Sequence, residues 1–522
     1  MSKQSLPLCG KKLTYIFLAF IILISAAVRF HKLGSFPSGF TWDEAAVGYN
    51  AYTIVNWGRD EWGKTLPLVF KSFKDDKNPV HIYLTVPFIK IFGLTEAATR
   101  ASSAFFGVLG TAAIFFLASI LFKSKGVGLI ASLFWCISPF DIQFSRFNHE
   151  LNFALFFFLA GTYFFYKALK DNNRLFWLAF LFWGIDLLTY QSAKVVTPFL
   201  VILLTALNLK TLLKSKKYFV FGAVIYLFFV GLNFIRPELL GGARLKQNLL
   251  GTPAVVWSRY WEYFGPKFLF ASGDENPRHS IQTVGTFYWL DLPFLLIGFF
   301  GIVQRLFVRK DKQMLFLIAW MFLAPLPAAA TNLTPHAPRA MFMLGSLTLV
   351  SAYGAYLLVK AFSNKYYQVL VSTLLVIASG LFLSKYLKDY FGKYDERYAI
   401  EWIYGMKDIV TTSEKREFNK VYMTDSMMQP YIFYLFYLKT PLPDFLATVK
   451  YNQTKSAPSN LVSSFGKYRF VWEQYHSVPD NGVLYAIRPS VYDGLFYKNS
   501  FNVVKLIKYP DRSDAFYLIT AN

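Results

Sequence analysis

The sequence predicts a polytopic helical membrane protein that ends in a small α/β domain on the outer side of the membrane. Three observations lead there. Of 522 residues, 55% are hydrophobic and only 16% charged, with a mean hydropathy of +0.35, whereas soluble chains carry about a quarter charged residues. Apolar runs recur that reach the ~18–20 residues needed to cross a bilayer. After residue 388 these runs give way to short segments that alternate between apolar and polar residues, a strand pattern.

The apolar runs fall near 12–30, 100–122, 126–144, 150–169, 174–190, 195–209, 217–235, 286–307, 313–330, 338–359 and 366–386, which is about eleven transmembrane helices. The first run follows Lys3, Lys11 and Lys12 and ends in SAAVRF. With so many spans after it, it reads as an uncleaved signal anchor rather than a signal peptide. The segment 79–93 is short and carries Pro79 and Pro87, so it reads as an amphipathic helix along the interface.

Alternate loops are basic: the N-terminus, FKSKG (122–126), KALKDNNR (167–174), KTLLKSKK (210–217), QRLFVRKDK (304–312) and KAFSNK (360–365). The positive-inside rule makes that side cytoplasmic. The N-terminus is then inside and the C-terminal domain extracytoplasmic, in a multi-pass protein of the cell membrane. The net charge of +23 follows from these loops, so it gives no reason to invoke nucleic acid. The organisation expected is a transmembrane module at 1–388, with a first outer loop at 31–99, and an outer domain at 389–522. Cys9 precedes the first span and Cys136 lies inside an apolar run, a placement that favours neither a disulfide nor a metal-type cysteine pair.

In the outer domain KVYMTD, YRFVWE, GVLYAIRP and FYLITA read as strands, and YAIEWIYGMKDIV and QPYIFYLFYLK as helices. No nucleotide-type glycine loop precedes a helix in it, so it reads as an accessory or acceptor-binding domain without assigned chemistry.

The outer loops hold the residues with chemical potential. Asp43-Glu44 lies in FTWDEAAVGYNAY, and Asp75-Asp76-Lys77 in KSFKDDKNPVHIYL. A carboxylate within reach of an acceptor hydroxyl can act as general base. The same pair also suits the first turn of a helix, where acids are favoured by about 0.3–1 kcal/mol. Lys77 can hold a lipid phosphate as a point charge, or snorkel to headgroups. SRFNHE supplies Arg146, His149 and Glu150, with Arg146 and Glu150 spaced to pair on a helix. Lys194, Arg278, His279, His336 and Arg339 add cations on the same side, and arginine suits phosphate. His149, His279 and His336 could meet a divalent metal together with the acids, but no ligand spacing supports one.

The Asp43-Glu44 pair after the first span, followed by Asp76-Lys77-Asn78-Pro79, resembles the GT-C-type glycosyltransferases, in particular the protein O-mannosyltransferase and aminoarabinose-transferase superfamily. RASSAFFGVLGTAAIFFLA (100–118), SRFNHE and GIDLLTYQSAKVVTPFL are similar to family segments too, and the resemblance covers residues 10–390. DKNP departs from the family's acidic-basic-Pro-Pro stretch at one proline. The oligosaccharyltransferase branch fits less well, because the WWDxG motif is absent from the sequence. The resemblance implies an inverting transfer from a polyprenyl-phosphate sugar to a protein, lipid or glycan acceptor, with no cofactor required. It implies Asp43 as catalytic carboxylate, Glu44 in support, Lys77 on the donor phosphate, Asp76 lining the site and Glu150 at a second acidic position. An inverting displacement would place Asp43 and the phosphate-holding cations on opposite sides of the sugar carbon.

Two rival classes share many of these features. A transporter or flippase for lipid-linked sugars would be expected to show repeated halves and helices broken at the midplane. A non-catalytic binder of lipid or glycan would not need the acidic pair.

Overall fold

The computed structural model describes residues 11–73, 76–240, 252–332, 334–415, 418–424, 429–452, 461–470 and 479–522. The chain divides into two compact units, Met1–His31 with Ser103–Tyr390 and Lys32–Ser102 with Phe391–Asn522. The first outer loop therefore groups with the C-terminal segment, and not with the helices that flank it in sequence.

Along the chain run α1 (Lys11–Phe30), α2 (Trp42–Trp57), α3 (Val80–Phe92), α4 (Glu96–Leu121), α5 (Lys125–Ile137), α6 (Pro139–Ser145), α7 (Leu151–Lys170), α8 (Phe176–Leu187), α9 (Ala193–Lys214) and α10 (Lys216–Ile235). Longer helices follow at Asp291–Phe307, Gln313–Leu323, Phe342–Ala361 and Lys365–Gly392.

Among the described residues seven helices are long and apolar enough to cross a membrane, or eight if the bent pair α5–α6 is one span. The count of about eleven is not reached by this measure. Three expected spans form helices that are too short: α8 has 12 residues, Asp291–Phe307 has 17 and Gln313–Leu323 has 11. Prolines explain the last, since Pro325 and Pro327 follow it directly.

The run expected as one span at 126–144 is two helices meeting at 56°. Pro139 stands at the first position of α6, where its missing N–H is not needed. The Ser138 hydroxyl accepts from the Asp141 amide at 3.3 Å. The break exposes carbonyls at the end of α5, and Arg29 of α1 takes them up, donating to Cys136 O at 3.1 Å and Trp135 O at 3.3 Å. The guanidinium also donates to the Ser25 hydroxyl at 2.7 Å and pairs with Asp141 at 2.5 Å, with both partners buried. Cys136 is a buried free thiol beside this network, and Cys9 lies outside the described residues.

In the second unit the strands are β1 (Lys420–Met423), β2 (Lys450–Tyr451), β3 (Val462–Phe465), β4 (Tyr468–Arg469), β5 (Val483–Ile487), β6 (Phe501–Lys508) and β7 (Asp514–Ala521). They form one sheet in the order β2-β3-β4-β1-β5-β7-β6. β1 runs parallel to β4 and β5, and the outer pairings are antiparallel. All four expected strand segments carry strand, although Asp425 and residues 471–473 lie outside the described set. The helix expected over 398–410 is split into Tyr394–Tyr398 and Met406–Lys415, with Gly405 at φ 96° between them. The helix Tyr431–Tyr437 buries Tyr431 to Phe436 in a core shared with α2 residues Ala45, Ala46 and Tyr49.

Removing one partner of a buried ion pair leaves the other charge uncompensated. Asp141→Leu is expected to cost about 3–5 kcal/mol by that mechanism, read as a lower melting temperature of the detergent-purified protein. An unchanged melt would assign the pair no role in holding the α5–α6 break.

Candidate active site

In the Lys32–Ser102 and Phe391–Asn522 unit, α2 begins with a capping box. The Thr41 hydroxyl accepts from the Glu44 amide at 3.3 Å, and the Glu44 carboxylate accepts from the Thr41 amide at 3.1 Å. Glu44 is fully buried and ion-paired with Arg100 at 2.8 Å. Arg100 also donates to Leu33 O, Pro37 O and Gly39 O at 3.2, 3.0 and 2.5 Å. The cap and the catalytic candidate are thus different residues of one turn. Glu44 closes the helix start, and its neighbour Asp43 projects away from that network with a side chain 46% exposed.

Lys77 arrives from a bridge with Phe70, in which each amide donates to the other's carbonyl, at 3.1 and 2.8 Å. Its ammonium donates to Asp43 Oδ1, and its side chain is only 11% exposed. Asp76 stands beside it, half-buried, and Asp75 lies outside the described residues. Asp43 and Lys77, read from the sequence as base and phosphate ligand, are in direct contact. Their sequence separation of 34 residues is spanned by α2 and the returning arm, which no local pattern reports.

The other candidates belong to the Met1–His31 and Ser103–Tyr390 unit. Arg146 is buried and donates to Val28 O and Arg29 O at 2.9 and 3.1 Å, capping the end of α1. Its guanidinium lies 5.1 Å from the Tyr390 ring. Glu150 lies 3.4 Å from His149 Nδ1. Lys194 donates to Leu239 O and, at 3.1 Å, to Gln191 Oε1. The Arg278 carbonyl accepts from Gln143 at 2.9 Å. Arg339 donates to the Thr331 hydroxyl at 2.7 Å, and Arg259 donates to Thr331 O at 3.2 Å.

His279 and His336 stand edge-on with ring centres 5.0 Å apart. His279 Nδ1 lies 2.8 Å from Asp274 Oδ2, which also accepts from the Ala337 amide at 2.6 Å. Among the described residues Asp274, His279 and His336 are the group whose ligand atoms, within 4.8 Å of one another, could hold a metal ion. Asp274 was not singled out by the sequence reading, and the one available signal was its position five residues before His279 in DENPRH. Burial opposes the charge on Asp274, but His279, His336 and the Asn276 amide outweigh it and hold its pKa below the usual value. Burial, then His279 and Arg339, push the His336 pKa well below that of a free histidine.

A family model described as dolichyl-phosphate-mannose-protein mannosyltransferase matches residues 76–234. Among solved structures, apo ArnT from Cupriavidus metallidurans is similar over 97% of this chain and 98% of its own, with a TM-score of 0.58 at 13% identity. The same protein with undecaprenyl phosphate bound gives 0.55 at 14% identity, covering 98% of each chain. The Archaeoglobus fulgidus oligosaccharyltransferase tethered to an acceptor peptide gives 0.52 at 12% identity over 97% of this chain and 74% of its own. No curated protein sequence matches. The chain resembles the GT-C membrane glycosyltransferases. At these identities the structural likeness concerns the fold: a helical membrane portion with a C-terminal sheet domain.

The His336 shift has a sign. As pH falls below about 6.5 the unfolded chain binds a proton at this histidine that the folded protein refuses, so stability falls. His336→Gln is expected to flatten the decline in melting temperature between about pH 6.5 and 5, and a decline as steep as wild type would show that another group controls it.

Proposed function

We propose that the protein is an inverting glycosyltransferase that moves a sugar from a polyprenyl-phosphate donor to an extracytoplasmic acceptor hydroxyl. The observation that carries this reading is the Asp43–Lys77 pair: a half-exposed carboxylate on a rigidly capped helix, held by a lysine that is nearly buried. In the scheme, the donor phosphate replaces Asp43 as the partner of Lys77. Asp43, released, accepts the acceptor's proton as its oxygen bonds to the anomeric carbon. The carbon–oxygen bond to phosphate breaks, and the polyprenyl phosphate leaves with its charge met by Lys77. Contact between Asp43 and Lys77 is then the resting state, and the separation expected for inversion arises when substrate enters.

Asp76 is proposed to line this site, with Glu44 orienting Asp43. In the other unit Arg146 is used on α1 carbonyls. Lys194, Arg278, His279, His336 and Arg339 remain candidates for phosphate or sugar contact, and Glu150 for a second acidic role. The sugar and the acceptor are left open.

Asp43→Asn is expected to lower transfer of labelled sugar from a polyprenyl-phosphate donor by about 10²–10⁴-fold. Stability should move little, because Asp43 is half-exposed and the asparagine side-chain oxygen can still accept from Lys77. Lys77→Ala should weaken donor use most at low donor concentration. Full turnover by Asp43→Asn would remove it as the base.

The proposed orientation is tested separately. A single cysteine at Asp511 is expected to react with an impermeant maleimide in intact cells and one at Lys214 is not; the reverse pattern would invert the topology.

A further inference from the structure

Glu61 lies in the turn of a hairpin closed by the Arg59–Thr65 bridge and is fully buried. The turn itself does not need the Glu61 carboxyl. Asp60 forms it, its Oδ1 accepting from the amides of Trp62 and Lys64 at 3.0 and 2.8 Å. The Glu61 amide donates to Asn50 Oδ1 of α2 at 2.9 Å. Its Oε1 accepts from the Tyr431 hydroxyl at 3.2 Å, and its Oε2 is buried without a hydrogen-bond partner among the described residues. The groups acting on it are Asp60, Tyr431, Trp62 and Lys77, with Tyr49 and Tyr451 also within its field. Lys77 is the cation of that set.

A buried carboxyl with an unpartnered oxygen is costly to charge. A charged Glu61 would also draw the Lys77 ammonium toward a second carboxylate, in competition with Asp43 and with any phosphate. We propose that Glu61 is a positioning residue for the Asp43–Lys77 pair: its amide and carboxyl tie the hairpin to α2 and to the Tyr431–Tyr437 helix, the adjacent Trp62 indole donates to Lys71 O of the arm bearing Lys77 at 2.8 Å, and the lysine is left to Asp43 and the donor phosphate. This rests on the reading of Lys77 given above.

The test is binding of undecaprenyl phosphate to the full-length protein in nanodiscs at pH 7 and pH 9. Burial, then the charge of Asp60, push the Glu61 pKa up to about 8, while an ordinary lysine stays charged until about 10.4. The wild type is expected to lose about tenfold in affinity over this range, and Glu61→Gln less than about threefold. Ionisation of the ligand is common to all the proteins and cancels in the comparison. An equal loss in Glu61→Gln, with Lys77→Ala binding weakly at both pH values, overturns the positioning role and leaves the reading of Lys77 standing. Lys77→Ala binding like wild type overturns that reading instead, and the positioning role falls with it.

Tyr431→Phe serves if Glu61→Gln does not fold. Loss of a hydrogen bond that favours the charged carboxylate should move the alkaline loss to higher pH, and an unmoved midpoint is also an overturning result. A second readout needs no ligand. Between about pH 4.5 and 8 the unfolded chain ionises at this glutamate while the folded protein stays protonated, so wild-type stability falls as pH rises. Glu61→Gln should remove that part of the slope in melting temperature, and an identical slope would contradict an uncharged Glu61.

Discussion

A guanidinium withdrawn from water must find protein acceptors for its N–H groups, and Arg100 finds them on Glu44 and on the carbonyls of Leu33, Pro37 and Gly39. That single demand fixes the segment leading into α2. The 33–39 stretch has no ladder of its own to satisfy its carbonyls, so without Arg100 they would face burial unpaired. With it, the entry to α2 is held, Thr41 reaches its capping geometry, and the first turn is set. Asp43 inherits its direction from this arrangement without contributing to it.

The adjacent acids show how environment separates roles that sequence cannot. Glu44 is enclosed and accepts hydrogen bonds on both oxygens. Asp43, one residue earlier, is turned about 100° around the helix and stands half-exposed against Lys77. A capped helix end is also rigid, which suits a base that must keep its position while its partner changes. The acid that closes the helix start is therefore not the one proposed for chemistry.

The membrane unit uses the same device. Arg29 meets the carbonyls freed where α5 breaks, and Arg146 meets those at the end of α1. In a lipid-facing bundle water is not at hand to satisfy such groups, so a broken or ending helix needs a donor from a neighbour. Arg29 and Arg146 each satisfy backbone carbonyls at a helix end. Arg146, read from the sequence as a phosphate ligand, donates to two carbonyls at the end of α1.

What the sequence made legible were features with a period or a local signature. Helix existence followed from apolar runs, the strands of the C-terminal sheet from alternation, and a helix start at Asp43-Glu44 from the preference of acids for a first turn; the Thr41 cap was not foreseen. The span count of eleven is not reached because three apolar runs form helices of 12, 17 and 11 residues, and Pro139 bends a fourth run that composition alone treats as continuous. The Asp43–Lys77 contact, the Asp274–His279–His336 group and the Arg100–Glu44 pair were illegible for a shared reason. Each joins distant segments through a chain reversal, and the sign of a charge says nothing about which reversal brings it home. A lysine proposed to hold a phosphate is also a cation in need of an anion. In this fold the anion against Lys77 is Asp43, so on the proposed reading substrate entry and release of Asp43 are one electrostatic exchange.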